Sequence, residues 1–297
     1  MIDFEPIRIE HKTFFAEAYA AEPTMSSGDS FGCVYLWDLI CRRNIAWMDG
    51  RLGVEYRCPR GVFYAYPAGS GDLRKAVEAL VQRAASQGAA LQFRGLTLRQ
   101  KERLMYELPG MFDYAQDRDN YDYIHDIESV ATLTGKKLHG KRNFCNRFEK
   151  TFDWAFLPVV PERFDDCLAL LDEWSRENDG GNREETLAIR RAFLEWEDLG
   201  MMGGVLYAGG KPAGFTIGER ITPDTMDVHF EKARGDIPGA YPMVAREFAR
   251  MIRSTYPEVR FLNREEDMGL ENIRKAKEEW RPLYLLEKTT ARRREPA

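Results

Sequence analysis

The hydrophobic positions of the second half of the chain follow two different periods. Leu168, Leu171 and Trp174 recur at helical spacing, as do Ile189, Phe193 and Trp196. Each stretch is expected to form a helix with one buried stripe. Asn178-Asp179-Gly180-Gly181-Asn182 separates them as a break. Two β-rich runs follow, at 204–208 and 213–218, around the turn Gly209-Gly210-Lys211-Pro212. They predict a hairpin. A third strand is expected at 226–230, then the Gly-rich loop Arg234-Gly235-Asp236-Ile237-Pro238-Gly239-Ala240. The loop feeds a helix carrying Val244, Phe248, Met251, Ile252 and Thr255, which Pro257 stops. A strand at 259–263, a polar turn, a helix with Leu270, Ile273 and Trp280, and a strand at 283–286 complete the order.

The first half repeats it. Strands around 54–56 and 62–66 lead into Ala68-Gly69-Ser70-Gly71, and a helix follows with Leu73, Val77, Leu80, Val81 and Ala84 on one side. A strand at 90–93 and a helix at 98–108 come next. Gly71 and Phe93 are 22 residues apart, and so are Gly239 and Phe261. The shared order predicts a duplicated α/β (α+β) unit of two mixed sheets, each flanked by helices. The expected boundaries are a first unit at 1–133, a basic connecting segment at 134–155, a second unit at 156–290 and a disordered tail at 291–297. Lys136 to Lys150 holds six basic residues and one acid, with Phe144 and Phe148 at helical spacing. It is read as a connecting helix with a solvated basic face, or as a wall that greets the phosphates of a donor.

A net charge of −5 over 297 residues gives no global reason to bind nucleic acid or an anionic membrane. No apolar run approaches the roughly 20 residues of a membrane helix, and the start lacks a signal-peptide pattern. A cytoplasmic location is expected. Five scattered cysteines, Cys33, Cys41, Cys58, Cys145 and Cys167, read as reduced thiols. His11, His125, His139 and His229 show no zinc spacing, so no metal is expected. Nucleophile-elbow, dinucleotide-binding and Walker patterns are absent from the sequence.

A strand, a Gly-rich loop and a helix N-terminus offer backbone N–H groups and a helix dipole to a diphosphate. Arg234, Gly235, Gly239, Ala240 and Tyr241 are the cofactor-binding candidates. Polar residues gather on both adjoining strands. Glu231 closes the first, where it is a candidate base or half of a surface ion pair with Lys232. Asn263, Arg264, Glu265 and Asp267 follow the second, where an open sheet faces its ligand crevice; their alternative role is helix capping. Glu231, Asn263, Glu265 and Asp267 form the catalytic set. His229, Lys232, Arg264, Lys141 and Arg142 form the substrate-binding set, with His229 facing the site or a core partner. Tyr114, Tyr121 and Tyr123 beside Asp113, Asp117, Asp119 and Asp122 read as a solvated acidic loop, or as the lining of a pocket for a cationic acceptor.

Phe230-Glu231-Lys232-Ala233, Pro238-Gly239-Ala240-Tyr241-Pro242 and above all Asn263-Arg264-Glu265-Glu266-Asp267-Met268-Gly269-Leu270 carry a family resemblance. Thr134-Gly135-Lys136-Lys137 fits it too. The chain resembles a bacterial family of unknown function grouped with the C-terminal catalytic domain of phosphatidylglycerol lysyltransferases. The resemblance implies a tandem GNAT-like fold, related to peptidyltransferases that use aminoacyl-tRNA. The Gly-rich loop of the second unit leads to an expectation of acyl transfer from coenzyme A or acyl-CoA to a small-molecule or peptide amine, while the family's relatives and the basic stretch from Lys136 to Lys150 suggest aminoacyl transfer from tRNA as the alternative. A non-catalytic binding module of decayed units is the third possibility. The sequence carries no membrane-spanning half like that of the lysyltransferases, so a membrane-embedded lipid is not the expected acceptor.

Overall fold

The computed structural model describes residues 2–59, 61–177 and 183–294. The expected break at 178–182 and the last three residues of the expected tail lie outside the described residues. In chain order the elements begin with β1 (Glu5–Pro6), α1 (Lys12–Ala21), α2 (Phe31–Leu36), β2 (Arg42–Trp47), β3 (Leu52–Cys58) and β4 (Gly61–Tyr64). Next come α3 (Leu73–Ser86), β5 (Gln92–Leu96), α4 (Leu98–Glu107), β6 (Phe112–Gln116), β7 (Asp122–Asp126), α5 (Ile127–Thr132), α6 (His139–Thr151) and β8 (Trp154–Pro158). After them are α7 (Phe164–Glu177), α8 (Arg183–Leu194), α9 (Trp196–Leu199), β9 (Met202–Ala208), β10 (Lys211–Thr222) and β11 (Thr225–Ala233). The chain ends with α10 (Ala240–Thr255), β12 (Phe261–Asn263), α11 (Glu271–Glu279), β13 (Tyr284–Leu286) and β14 (Thr289–Arg293).

Two compact units result, each built on a seven-stranded mixed sheet. The first contains residues up to Asp122, Glu266–Leu270 and the chain from Leu286 onward. Its strand order is β1-β2-β3-β4-β5-β14-β6. β4 and β5 run parallel, joined by α3, which buries Leu73, Ala76, Val77, Leu80 and Ala84. Asp72 caps that helix, and a reciprocal Thr97–Gln100 capping box starts α4.

The expected tail is corrected by β14, which lies inside the sheet and pairs antiparallel with both β5 and β6. Ala291 is fully buried there. The expectation of reduced thiols also fails at one place. β2 pairs antiparallel with β3, with Arg42 opposite Arg57, so the flanking Cys41 and Cys58 face each other and form a disulfide. Cys33, Cys145 and Cys167 are free. The acidic loop is not solvated throughout either, because Tyr121, Asp122 and Tyr123 are all buried.

A polar network lies within this first unit. Asp29 is buried and accepts a hydrogen bond from Gln100 Nε2 at 3.1 Å. Burial pushes its carboxyl up to about 6, from an ordinary 3.8, against the opposing pull of Gln100 and Lys288. The folded state therefore holds this proton more tightly than the unfolded chain. Its contribution is complete below about pH 3.8 and is lost as the pH rises to about 6, a swing of about 3 kcal/mol. Asp29→Asn removes that slope. In urea melts the variant is expected to gain about 3 kcal/mol relative to wild type between pH 3.5 and pH 7; parallel stability curves would rule this assignment out.

The second unit contains Tyr123–Glu265 and Glu271–Leu285. Its strand order is β13-β7-β12-β11-β10-β9-β8. The basic segment is part of this unit rather than a connector, since α6 buries Cys145 and Phe148 in the same core as Met243, Val244, Phe248 and Ile252 of α10. Gly239 starts α10 in the left-handed region at φ 92°, and a Cβ there would meet the Phe144 carbonyl oxygen at 2.8 Å. Only glycine fits that approach of loop to helix.

Candidate active site in the second unit

β11 and β12 run parallel and pair over three positions, Thr225 with Phe261, Met226 with Leu262 and Asp227 with Asn263. There β12 ends while β11 continues to Ala233. The sheet thus opens beyond Asp227 and Asn263, and the chain departing from β12 carries Arg264 and Glu265 away from it. A second irregularity lies on the other edge of β11. Ile217 of β10 faces Phe230, but the next residue, Gly218, faces Val228. His229 is the extra residue of a β-bulge, the device by which a strand re-aims a side chain. Gly218 makes the bulge possible, since a Cβ there would lie 2.2 Å from the Asp227 carbonyl oxygen.

The bulge places His229 among carboxylates. Its Nδ1 donates to Glu265 Oε1 at 2.8 Å and its Nε2 donates to Glu219 Oε1 at 3.2 Å. Asp227 Oδ2 lies 3.8 Å from Nδ1. The side chains of His229 and Asp227 are inaccessible, while Glu219 and Glu265 keep 10% and 16% exposure, so the cluster touches solvent through these two acids alone. Burial disfavours the imidazolium, but Asp227, then Glu219 and Glu265, lift its pKa well above the ordinary histidine value. Glu265 is itself strained. Its φ is 56°, a region that costs a non-glycine residue about 1 kcal/mol. Asn263 Oδ1 holds it there by accepting the Glu265 backbone N–H at 2.7 Å.

Sequence reasoning found His229, Asn263 and Glu265 but missed Asp227 and Glu219. Asp227 stands two residues before His229, a strand-spaced pair that was readable. Glu219 reaches the cluster through its pairing with Asp227 across the β10–β11 hairpin.

The remaining candidates divide. Glu231 accepts from Arg264 Nη2 at 2.9 Å, and the Arg264 guanidinium lies 5.3 Å from the centre of the Trp280 ring. This contact takes the place of the Glu231–Lys232 ion pair, the alternative to a base at Glu231. Lys232 instead donates to Glu185 at 2.9 Å and lies 3.8 Å from the Trp174 ring centre, and the Trp174 indole N–H donates to the Tyr241 hydroxyl at 3.1 Å. Arg234 binds Glu173 and Asp236, while Gly235 has open space around it. Ala240 is buried against the core of α10. Lys141 pairs with Glu279 at 3.1 Å, and Arg142 donates to the carbonyls of Leu133 and Gly135. Both stitch α6 to its own unit; Lys136, Lys137, Arg147 and Lys150 are the exposed cations of the segment.

Asp267 does not join the catalytic set. It belongs to the first unit, fully buried, where it accepts from Arg118 Nη1 at 3.0 Å and from the Gly269 backbone N–H at 2.9 Å. A carboxylate that closes a turn before α11 and holds an arginine is structural.

Comparison with known proteins agrees with this architecture. Residues 21–292 match the phosphatidylglycerol lysyltransferase C-terminal family. A conserved protein of unknown function from Bacteroides thetaiotaomicron is 33% identical over 99% of this chain and all of its own, with a TM-score of 0.92. The C-terminal domain of a proposed lysylphosphatidylglycerol synthetase from Agrobacterium fabrum is 14% identical, covering 97% of this chain and 92% of its own at a TM-score of 0.69. L-PGS from Bacillus licheniformis is 16% identical, covering 86% and 85% at a TM-score of 0.62. No functionally curated protein matches. Among the described residues no helix is long and apolar enough to cross a membrane. The chain belongs to the phosphatidylglycerol lysyltransferase C-terminal family and has its tandem GNAT-like fold.

Proposed function

We propose that this protein transfers an aminoacyl group from aminoacyl-tRNA to an amine or hydroxyl acceptor, at the opening between β11 and β12. The observation that carries the reading is that opening, with Glu231 and Arg264 on its two sides and a bulged backbone beside it. The acceptor attacks the ester carbonyl, forming a new C–N or C–O bond as the bond to the tRNA ribose oxygen breaks. Glu231, fixed by Arg264, takes the acceptor proton, which then goes to the departing ribose hydroxyl. His229 has no cross-strand partner on β10, and the bulged backbone N–H there suits the oxyanion of the tetrahedral intermediate. The exposed Lys136, Lys137, Arg147 and Lys150 suit the phosphates of the tRNA.

Acyl-CoA, the leading expectation from sequence, finds less support than tRNA. Arg234 already satisfies two carboxylates of its own chain, and the loop glycine at 239 abuts α6 instead of facing an open cradle. Family membership favours the tRNA donor. The discriminating experiment mixes the protein with tRNA carrying a labelled amino acid, or with labelled acetyl-CoA, and a panel of amines and lipid headgroup alcohols. Accelerated loss of label from tRNA into an acceptor is expected, with the acetyl-CoA label unmoved. No acceleration with any charged tRNA, or transfer from acetyl-CoA alone, defeats the proposal.

A further inference from the structure

Asp227, His229 and Glu265 each offer one ligand atom, and the three atoms lie within 4.8 Å of one another. Two of the residues are buried, and the third is held by a strained backbone and by Asn263. The ligand set is mixed, one imidazole nitrogen and two carboxylates. It has the outer feature that metal-binding histidines show. The ring nitrogen facing away from the other two ligands, Nε2, is fixed by a further carboxylate, Glu219, at 3.2 Å. Nδ1, the nitrogen left for a ligand, faces Glu265 at 2.8 Å and Asp227 at 3.8 Å. Separations of this size suit donors sharing one ion with bonds of about 2.0–2.2 Å.

The donor chemistry points the same way. Three carboxylates lie around one imidazole in a site nearly closed to water, an arrangement whose oxygens and ring nitrogen attract a cation placed among them. The imidazole nitrogen argues for zinc over calcium or magnesium, which take oxygen donors, and the two carboxylates also suit manganese.

We propose that Asp227, His229 and Glu265 form a divalent-cation site of the zinc or manganese type, with Glu219 orienting the histidine. The histidine spacing considered in the sequence did not reveal it, because its three ligands come from a strand bulge and the turn after the neighbouring strand. The site shares His229 with the proposed transfer site, through its side chain and not its backbone, but does not depend on that reading, and its test uses neither tRNA nor acceptor.

Chelator-treated, metal-free protein is titrated with Zn2+ and separately with Mn2+ by calorimetry, and metal content is measured after dialysis. One equivalent per chain is expected for wild type. Glu265→Gln and Asp227→Asn are each expected to weaken binding at least 100-fold, and Glu219→Gln about 10- to 100-fold. His139→Ala, which removes an exposed histidine elsewhere, is expected to bind as wild type does. Co2+ loaded into wild type gives a readout that needs no variant; a visible spectrum of nitrogen and oxygen ligation is expected. Failure of wild type to retain one equivalent, unchanged affinity in Glu265→Gln, or a thiolate charge-transfer band would each overturn the site.

Discussion

Glu231→Gln is expected to lower the turnover of aminoacyl transfer by about 10²- to 10⁴-fold, the usual contribution of a positioned proton acceptor. The substitution is nearly isosteric. Its amide oxygen still accepts from Arg264, so the Arg264 and Trp280 contacts persist. Loss of the charged partner costs about 1–2 kcal/mol of stability, too little to explain such a drop through unfolding. The fall should be in kcat at saturating charged tRNA, because Glu231 lies on β11 and not among the exposed cations of α6. Single-turnover decay of labelled aminoacyl-tRNA is the direct measurement. A Glu231→Gln rate within threefold of wild type would move proton transfer to another group and leave the ion pair with a purely structural role.

Much of this fold follows short-range rules, and those parts were legible. The 22-residue separations from Gly71 to Phe93 and from Gly239 to Phe261 both span a loop, a helix and a strand. In both units that strand pairs in parallel with the one before the loop, Phe93 with Tyr64 and Phe261 with Thr225. The units differ in where pairing falls. Tyr64 is the last residue of β4, whereas Thr225 is the first of β11. Only in the second unit does the strand before the loop run on past its parallel partner, and this is why the polar residues after Asn263 meet an opening.

Long-range pairing was not legible. Nothing near Thr289 announces that it pairs with Leu96 on one side and Gln116 on the other. The tail reads as basic and frayed because its apolar content is a single buried position, Ala291, set among threonines and arginines. The Asn-Arg-Glu-x-Asp-x-Gly motif reads as one functional group, yet Asn263 to Glu265 serve the second unit and Asp267 the first. Periodicity cannot see such a division, because it concerns the register of distant strands and not the face of one element. Glu219 was invisible for the same reason, since hairpin pairing and a bulge decide its neighbour.

Lys288→Met is the substitution expected to damage the fold most. Lys288 stands just before β14 and is buried, its Nζ donating to Asp122 Oδ1 at 2.6 Å and to Ser27 Oγ at 3.4 Å. Asp122 also accepts the Ser27 backbone N–H and hydroxyl, both at 2.9 Å, so the three residues tie the start of β14 into the first unit. Burial opposes the lysine charge, but Asp122 and Glu266 raise its pKa above the ordinary 10.5. The stabilisation is therefore complete at neutral pH and is lost only in alkali beyond that value. Removing the ammonium strands a buried carboxylate, at a cost of about 3–5 kcal/mol. Adding Asp122→Asn removes the stranded charge, and the double variant is expected to regain at least half of the loss, a coupling of about 2 kcal/mol or more. Denaturant melts of the wild type, both single variants and the double variant measure it. Additive costs would show that Lys288 and Asp122 act independently. A cost below about 1 kcal/mol for Lys288→Met alone would show that strand pairing by β14 holds the first unit without the buried pair.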